Sequence, residues 1–394
     1  MRAALRHGLF YCLIYMGTGA TMPYLPVWFK ARGLSAAQIG IIIALPMLLR
    51  VLLGPILAVW ADGFSLRRTP MIILALVASL AYAALLAFSG FLPWLVLYLI
   101  AATAIAAVSP LADVFTLRRT TRDGFSYSIA RGIGSAGYVA ANILCGLVVA
   151  VAGSLVAVIW SAIAALACAI GARVVLPKEQ VLDGTAPANF RTRLSAHREF
   201  LGNTNVAILL LAVSLIQGSH ALYYAFSAIA WRAQGASSGL VGAMWGVSVT
   251  AEVAFLWFGA GLRSRLGAVG MIVAGGAGAV IRWTALSLSA HFWLVFPLQA
   301  LHALTFSATY IGSLMLIAQL TPRDHASSAQ TLLASLSYGL ATGLATLAGG
   351  ALFQLLGARA YLGMSLMALL GVMAALILAR RLATSLEPAH HPQI

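Results

Sequence analysis

"FKARGLSAAQIG" (residues 29–40) returns in the second part of the chain as "WRAQGASSGLVG" (231–242). Ala, Gly, Ser and Gly coincide, and Phe/Trp, Lys/Arg and Ile/Val are close exchanges. Continued in the same register, Arg50 falls on Glu252. With small slips "TRD" (121–123) matches "PRD" (322–324), and Ser135 and Tyr138 match Ser335 and Tyr338. A chain that repeats itself once over its length builds two copies of one unit, whose shared interface is the natural place for a site.

The composition names the solvent of those copies. Of 394 residues 62% are hydrophobic and only 8% are Asp, Glu, Lys or Arg, with a mean hydropathy of +0.96. A soluble domain carries about 25% charged residues, so lipid covers part of this surface. Windows of about 20 apolar residues recur twelve times, from 7–28 to 359–380. The expected fold is therefore an all-α membrane protein of twelve transmembrane helices in two pseudo-symmetric six-helix halves. Residues 1–175 form the first half. The charged, Pro-containing stretch 176–203 is the cytoplasmic connection, and residues 204–394 form the second half with a short tail. The first apolar stretch lacks a convincing cleavage site and reads as a retained span.

The net charge is +15, but the basic residues cluster between apolar spans rather than along one polar face. That argues for membrane topology and against a nucleic-acid partner. With the N-terminus in the cytoplasm, only Lys30, Arg32, Arg232 and Arg359 fall in outer loops. Both termini are expected in the cytoplasm, with the protein in the inner membrane as a monomer. Cys12, Cys145 and Cys168 lie in apolar spans without a CxxC or a histidine cluster. Neither a disulfide framework nor a metal site is expected, and no cofactor is. "GIGSAG" (132–137) matches the dinucleotide fingerprint but sits in a span with no preceding strand.

A few ionisable groups lie inside spans: Arg50, Asp113, Arg131, Glu252 and Arg282, with His220 and His302. A charge at the bilayer centre costs at least about 2.5–3.5 kcal/mol, so each faces a cavity or a partner. Three arginines against two carboxylates leave a positive excess that suits an anionic substrate, since guanidinium grips carboxylate in a fork. Gln217, His220, Tyr223 and Tyr224 in "LIQGSHALYYAF" (215–226) mostly share a face. Gln299, His302 and Thr305 form a stripe in "LQALHALTFSATY" (298–310). Tyr138, Tyr223, Tyr224 and Trp245 are candidates for ring contacts with substrate, and Trp28, Trp94 and Trp231 for anchors at the membrane interface. Gln217, His220, Gln299 and His302 are candidates for substrate contact, the histidines for a proton relay as well; the alternative for each group is a structural ion pair or polar glue between helices.

These stretches resemble the major facilitator superfamily. "GPILAVWADGFSLRR" (54–68) is similar to its loop motif, although Ala58, Gly63 and Ser65 depart from it. The resemblance implies that Asp62, Arg67 and Arg68 latch a gate, with Arg50 nearby. "YLPVWFKARGLSAAQIG", "SPLADVFTLRR", "ARGIGSAGY", "LIQGSHALYYAF", "AEVAF" and "LHALTFSATY" resemble the phenylpropionate-permease group, a neighbour of lactose permease and the nucleoside–proton symporters. That likeness implies alternating access and uptake of a small organic anion, such as an aromatic acid, with protons. It implies substrate contacts at Asp113, Arg131, Tyr138, Arg282 and His302, and places Arg131 beside Glu252. Thr305 stands where lactose permease has its proton-releasing carboxylate. The proton is therefore expected on Glu252, or else on Asp113 or a histidine such as His302. A neutral sugar or nucleoside symporter and a proton-driven exporter of a drug or siderophore are the alternatives. Enzyme chemistry is not expected, because no catalytic dyad accompanies the charges.

Overall fold

The computed structural model describes residues 2–179, 202–288, 292–322 and 326–386, and every regular element among them is helical. Ahead of residue 180 run α1 (Arg2–Ala31), α2 (Ala36–Asp62), α3 (Thr69–Ala84), α4 (Phe91–Asp123), α5 (Tyr127–Ala152) and α6 (Leu155–Val174). From residue 202 come α7 (Thr204–Gly218), α8 (Ala221–Ala233), α9 (Ser238–Phe258), α10 (Ala260–Ser287) and α11 (Phe292–Ala300). They are followed by α12 (Thr309–Leu320), α13 (Ala326–Ala334), α14 (Thr342–Leu356) and α15 (Tyr361–Leu386). Two π-helical stretches, Ala303–Ala308 and Ser335–Ala341, lead into α12 and α14. Most of the expected connection between halves lies outside the described residues.

Nine helical runs among the described residues are long and apolar enough to cross a membrane. The twelve expected windows are distributed differently for identifiable reasons. Two share the 56-residue run Ala329–Thr384, which turns at Gly357 with φ +56°. α3 has only 16 residues, and α1 is not among the nine. Large apolar side chains cover the outside, for example Val151 at 92% and Leu355 at 80% exposure, as lipid contact requires. Trp28, Trp94 and Trp231, expected at the membrane interface, are instead buried. The Trp94 indole donates to the carbonyls of Leu85 and Phe88, which gives its N–H the partner that lets the ring bury.

The quoted repeat has a physical meaning. Gly33 and Gly235 take φ of +90° and +94°, a region where a side chain would strain the turn. Ser35 and Ser237 then cap α2 and α9, accepting from the amides of Gln38 and Leu240. The Gln38 side chain returns to the Ser35 amide and completes a capping box. The closing glycines, Gly40 and Gly242, make the tight crossings. A Cβ on Gly40 would lie 2.9 Å from the Gly350 Cα on α14, and one on Gly242 would strike the Asn142 carbonyl of α5. The Tyr24 hydroxyl shares its proton between the carbonyls of Asn142 (2.8 Å) and Ser238 (3.1 Å). At this end of the bundle α2 packs on α14 and α5 on α9. At the other end a cavity of about 580 Å³ opens between α2, α4 and the α13–π segment.

Candidate functional site

Two polar clusters flank the bundle interior. In the first, one carboxylate oxygen gathers three donors. Asp113 Oδ1 on α4 accepts from Tyr11 Oη (2.6 Å), Tyr127 Oη (2.8 Å) and Arg131 (3.2 Å). The Arg131 guanidinium also lies 5.2 Å and 5.1 Å from the ring centres of Tyr11 and Tyr15, a cation–π arrangement. α5 can approach α1 here because Gly134 faces Tyr11 and Tyr15 and Gly137 faces Cys12. Both members of the ion pair stay about a third exposed, at 37% and 31%. Tyr138 is half-buried, with its hydroxyl 3.8 Å from Met22 Sδ.

The second cluster is deeper. Arg282 on α10 is fully buried. It donates to His302 Nδ1 (2.7 Å), to Gln299 Oε1 (2.6 Å) and, more distantly, to Thr305 Oγ1 (3.4 Å). Its guanidinium stacks 4.4 Å from the Tyr223 ring and 4.7 Å from Trp283. His302 Nε2 reaches Glu252 Oε1 on α9 at 3.0 Å. Arginine has no lone pair to accept with, so Nδ1 must be the acceptor and Nε2 carries the ring hydrogen toward Glu252. The Tyr223 hydroxyl donates to Ser248, which donates to Gln299 Oε1 (2.9 Å). His220 is buried at the break between α7 and α8, with Nδ1 on the Ile216 carbonyl and Nε2 at 3.0 Å from Thr305. Gln217 donates to the Phe306 carbonyl. Tyr223 and Trp245 stack at 4.5 Å, and Tyr224 lies beside them.

The residues read from the sequence therefore fall into two sets. Asp113 with Arg131, and Arg282 with His302, are brought together. Arg131 and Glu252 do not pair: Arg131 turns to Asp113 and Glu252 to His302, although their helices α5 and α9 pack together. Tyr11, Tyr15, Tyr127 and Ser248 complete the clusters unannounced. Their signals were helical spacings, since Tyr11 and Tyr15 are one turn apart, Tyr127 one turn before Arg131 and Ser248 one turn before Glu252.

Arg50 stands alone. It is exposed, and it has no hydrogen bond or ion pair among the described residues. It lines three cavities, of about 580, 290 and 180 Å³. Of the loop residues read as a gate, Arg67 pairs with Glu179 at 3.5 Å, and Arg68 donates to the carbonyls of Arg173 (2.8 Å) and Leu176 (3.0 Å). Burial lowers the Arg67 pKa, as does repulsion from Arg118, while Glu179 opposes the shift. Asp62 is exposed and in no ion pair among the described residues. No metal-sized group of His, Cys, Asp or Glu occurs among the described residues.

A family model described as "MFS_1 like family" matches residues 5–362. Among characterised sequences, a "Probable 3-phenylpropionic acid transporter" of Escherichia coli is 26% identical over 363 residues, covering 91% of this chain and 93% of that protein. A "Maltose permease" of Geobacillus stearothermophilus is 26% identical over 386 residues, covering 96% and 95%. The crystal structure of nucleoside transporter NupG superposes with a TM-score of 0.80 at 14% identity, over 98% of this chain and all of that one. A bacterial homologue of the lysosomal transporter Spinster, inward-facing and occupied, gives 0.70 at 14% identity, covering 96% of each chain.

Proposed function

Because the chain belongs to the MFS_1-like family of membrane transporters, we propose that it is a proton-coupled symporter of a small organic anion. It moves its substrate by alternating access between two halves that meet where α2 faces α14 and α5 faces α9. The observation that carries the proton coupling is the chain Arg282–His302–Glu252. A second proton on His302 would sit on Nδ1, facing a fixed guanidinium. Glu252 is the acceptor left, and it remains partly open, at 19% exposure.

Charge balance links that proton to an anion. Asp113 offsets Arg131, and ionised Glu252 offsets Arg282 through His302, which leaves Arg50 in excess. Protonation of Glu252 adds one more positive charge to a low-dielectric interior, where like charges repel strongly. An entering carboxylate removes it, so proton and anion favour each other. Arg131 and Tyr138 remain partly exposed and Tyr224 lines the cavity of about 180 Å³, while Gln217, His220, Gln299, Tyr223 and Trp245 hold the second cluster. The relative named as a phenylpropionic acid transporter supports an aromatic acid. The relative named as a maltose permease, equally identical, supports a neutral sugar as the second reading. The bacterial relatives fit an inner-membrane location, and we take the termini to be cytoplasmic and the working unit to be one chain.

Proteoliposomes test this. An inward proton gradient should drive accumulation of 3-phenylpropionate but not of maltose or uridine. With one proton per monoanion no net charge moves, so a membrane potential at fixed pH should add nothing. Each extra proton would add about 2.3 kcal/mol per 100 mV. Glu252→Gln should abolish accumulation and retain counterflow exchange. Accumulation by that variant with an unchanged pH profile would remove Glu252 from the mechanism.

A further inference from the structure

Arg131 is one of the arginines the family resemblance implies for substrate contact, yet its charge is already met. Asp113 faces it at 3.2 Å and two tyrosine rings flank it. Arg282 is enclosed by His302, Gln299, Tyr223 and Trp283 with no exposure. Arg50 is the contrast. The residue is exposed, has no hydrogen bond or ion pair among the described residues, and is common to three adjoining cavities. An unpaired charge at membrane depth is costly, and water or an anion must satisfy it.

The walls around Arg50 supply the rest of a binding site. Thr103 on α4 lines the cavity of about 580 Å³, is 9% exposed, and its hydroxyl has no partner. Arg50 on α2 and Thr103 on α4 thus bring one donor each to the same cavity. The adjoining compartment of about 290 Å³ runs between Tyr15, Tyr82 and Tyr98 and is otherwise mostly aliphatic. The larger cavity alone lies within the roughly 300–1,000 Å³ of small-molecule sites. We infer that Arg50, with Thr103, anchors the carboxylate of the transported anion, and that its aryl or alkyl body lies between Tyr15, Tyr82 and Tyr98. Arg131 and Asp113 then form a preset neutral wall through Tyr15. This rests on the organic-anion reading above and deepens it.

Binding to the purified full-length protein in detergent tests the assignment, with 3-phenylpropionate and benzoate as acids and 3-phenylpropionamide as the uncharged isostere. The wild-type protein should prefer the acids. Arg50→Gln should weaken acid binding at least about tenfold, the loss expected for a charge-assisted pair, and leave the amide unchanged. In the unaltered protein, phenylglyoxal should modify Arg50, and 3-phenylpropionate but not the amide should protect it. That protection decides the matter if Arg50→Gln does not fold. Unchanged acid binding by Arg50→Gln, or equal modification with and without acid, overturns the assignment. If Arg131→Gln alone erases the acid preference, the anion reading stands and the anchor is Arg131. If the wild-type protein binds maltose or uridine and neither acid, the anion reading falls and this inference with it.

Discussion

His302 owes its tautomer to a neighbour that can only donate. Arg282 occupies Nδ1 at 2.7 Å, so the imidazole presents Nε2–H to Glu252. Side-chain amides can imitate either half of the ring. Glutamine places an N–H near the Nε2 position and asparagine reaches only as far as Nδ1. We expect His302→Gln to retain proton-driven uptake better than His302→Asn, which should lose about ten- to hundredfold, the worth of a hydrogen bond to a charged group. Initial rates in proteoliposomes, with counterflow as a control for folding, read the difference. Equal loss in both variants would separate the Nε2–H donor from the proton step. Asp113 offers a second residue-scale test. Three donors converge on one of its oxygens, so Asp113→Ala should lower thermal stability by about 1–3 kcal/mol as these part-buried donors lose their acceptor.

At the scale of an element, the π-helical stretch Ala303–Ala308 sets the second cluster. A π turn takes one more residue than an α turn, so the stretch sets how His302 and Thr305, which both meet Arg282, are rotated relative to α12. Deleting Ala308 should return the helix to α geometry and rotate His302 by about 100° relative to α12. Transport should be lost and the melting temperature lowered, as measured by uptake and by thermal unfolding in detergent. Retained uptake would mean that the extra residue is not needed for the site. Such rotations also explain what could be read from the sequence. Hydropathy located the spans, and the resemblance to lactose permease drew attention to Asp113, Arg131, Arg282 and His302, which the structure brings together two by two. The partner of Glu252 was not legible. α5 and α9 do adjoin, yet which side chain points across depends on each helix's turn about its own axis. No local pattern encodes that turn. Arg50 was visible as an oddity from the start, but only the cavities around it distinguish it from the other two arginines.

For the whole molecule, the repeat that opens the sequence performs three tasks in each copy: a left-handed turn at Gly33 and Gly235, a cap at Ser35 and Ser237, and a bare crossing at Gly40 and Gly242. The crossings hold one end of the bundle shut. A side chain there should prop it open. In a protein with Cys12, Cys145 and Cys168 replaced, we expect Gly350→Val to make a cysteine at Thr346, which lines the cavity of about 180 Å³ behind the crossing, react faster with a membrane-impermeant maleimide. Uptake should fall at the same time. Unchanged reactivity would show that the crossing does not govern access. Gly40 and Gly350 meet backbone to backbone, and no ion pair spans the two crossings among the described residues. Opening that face therefore undoes close packing and a few neutral hydrogen bonds, those of Tyr24 to Asn142 and Ser238 and of Ala37 to Gln354, and no charge pair. Ionic strength, which screens exposed charges more than about 10 Å apart at 0.1 M, should leave its opening rate untouched, whereas lateral compression by the surrounding lipid should slow it.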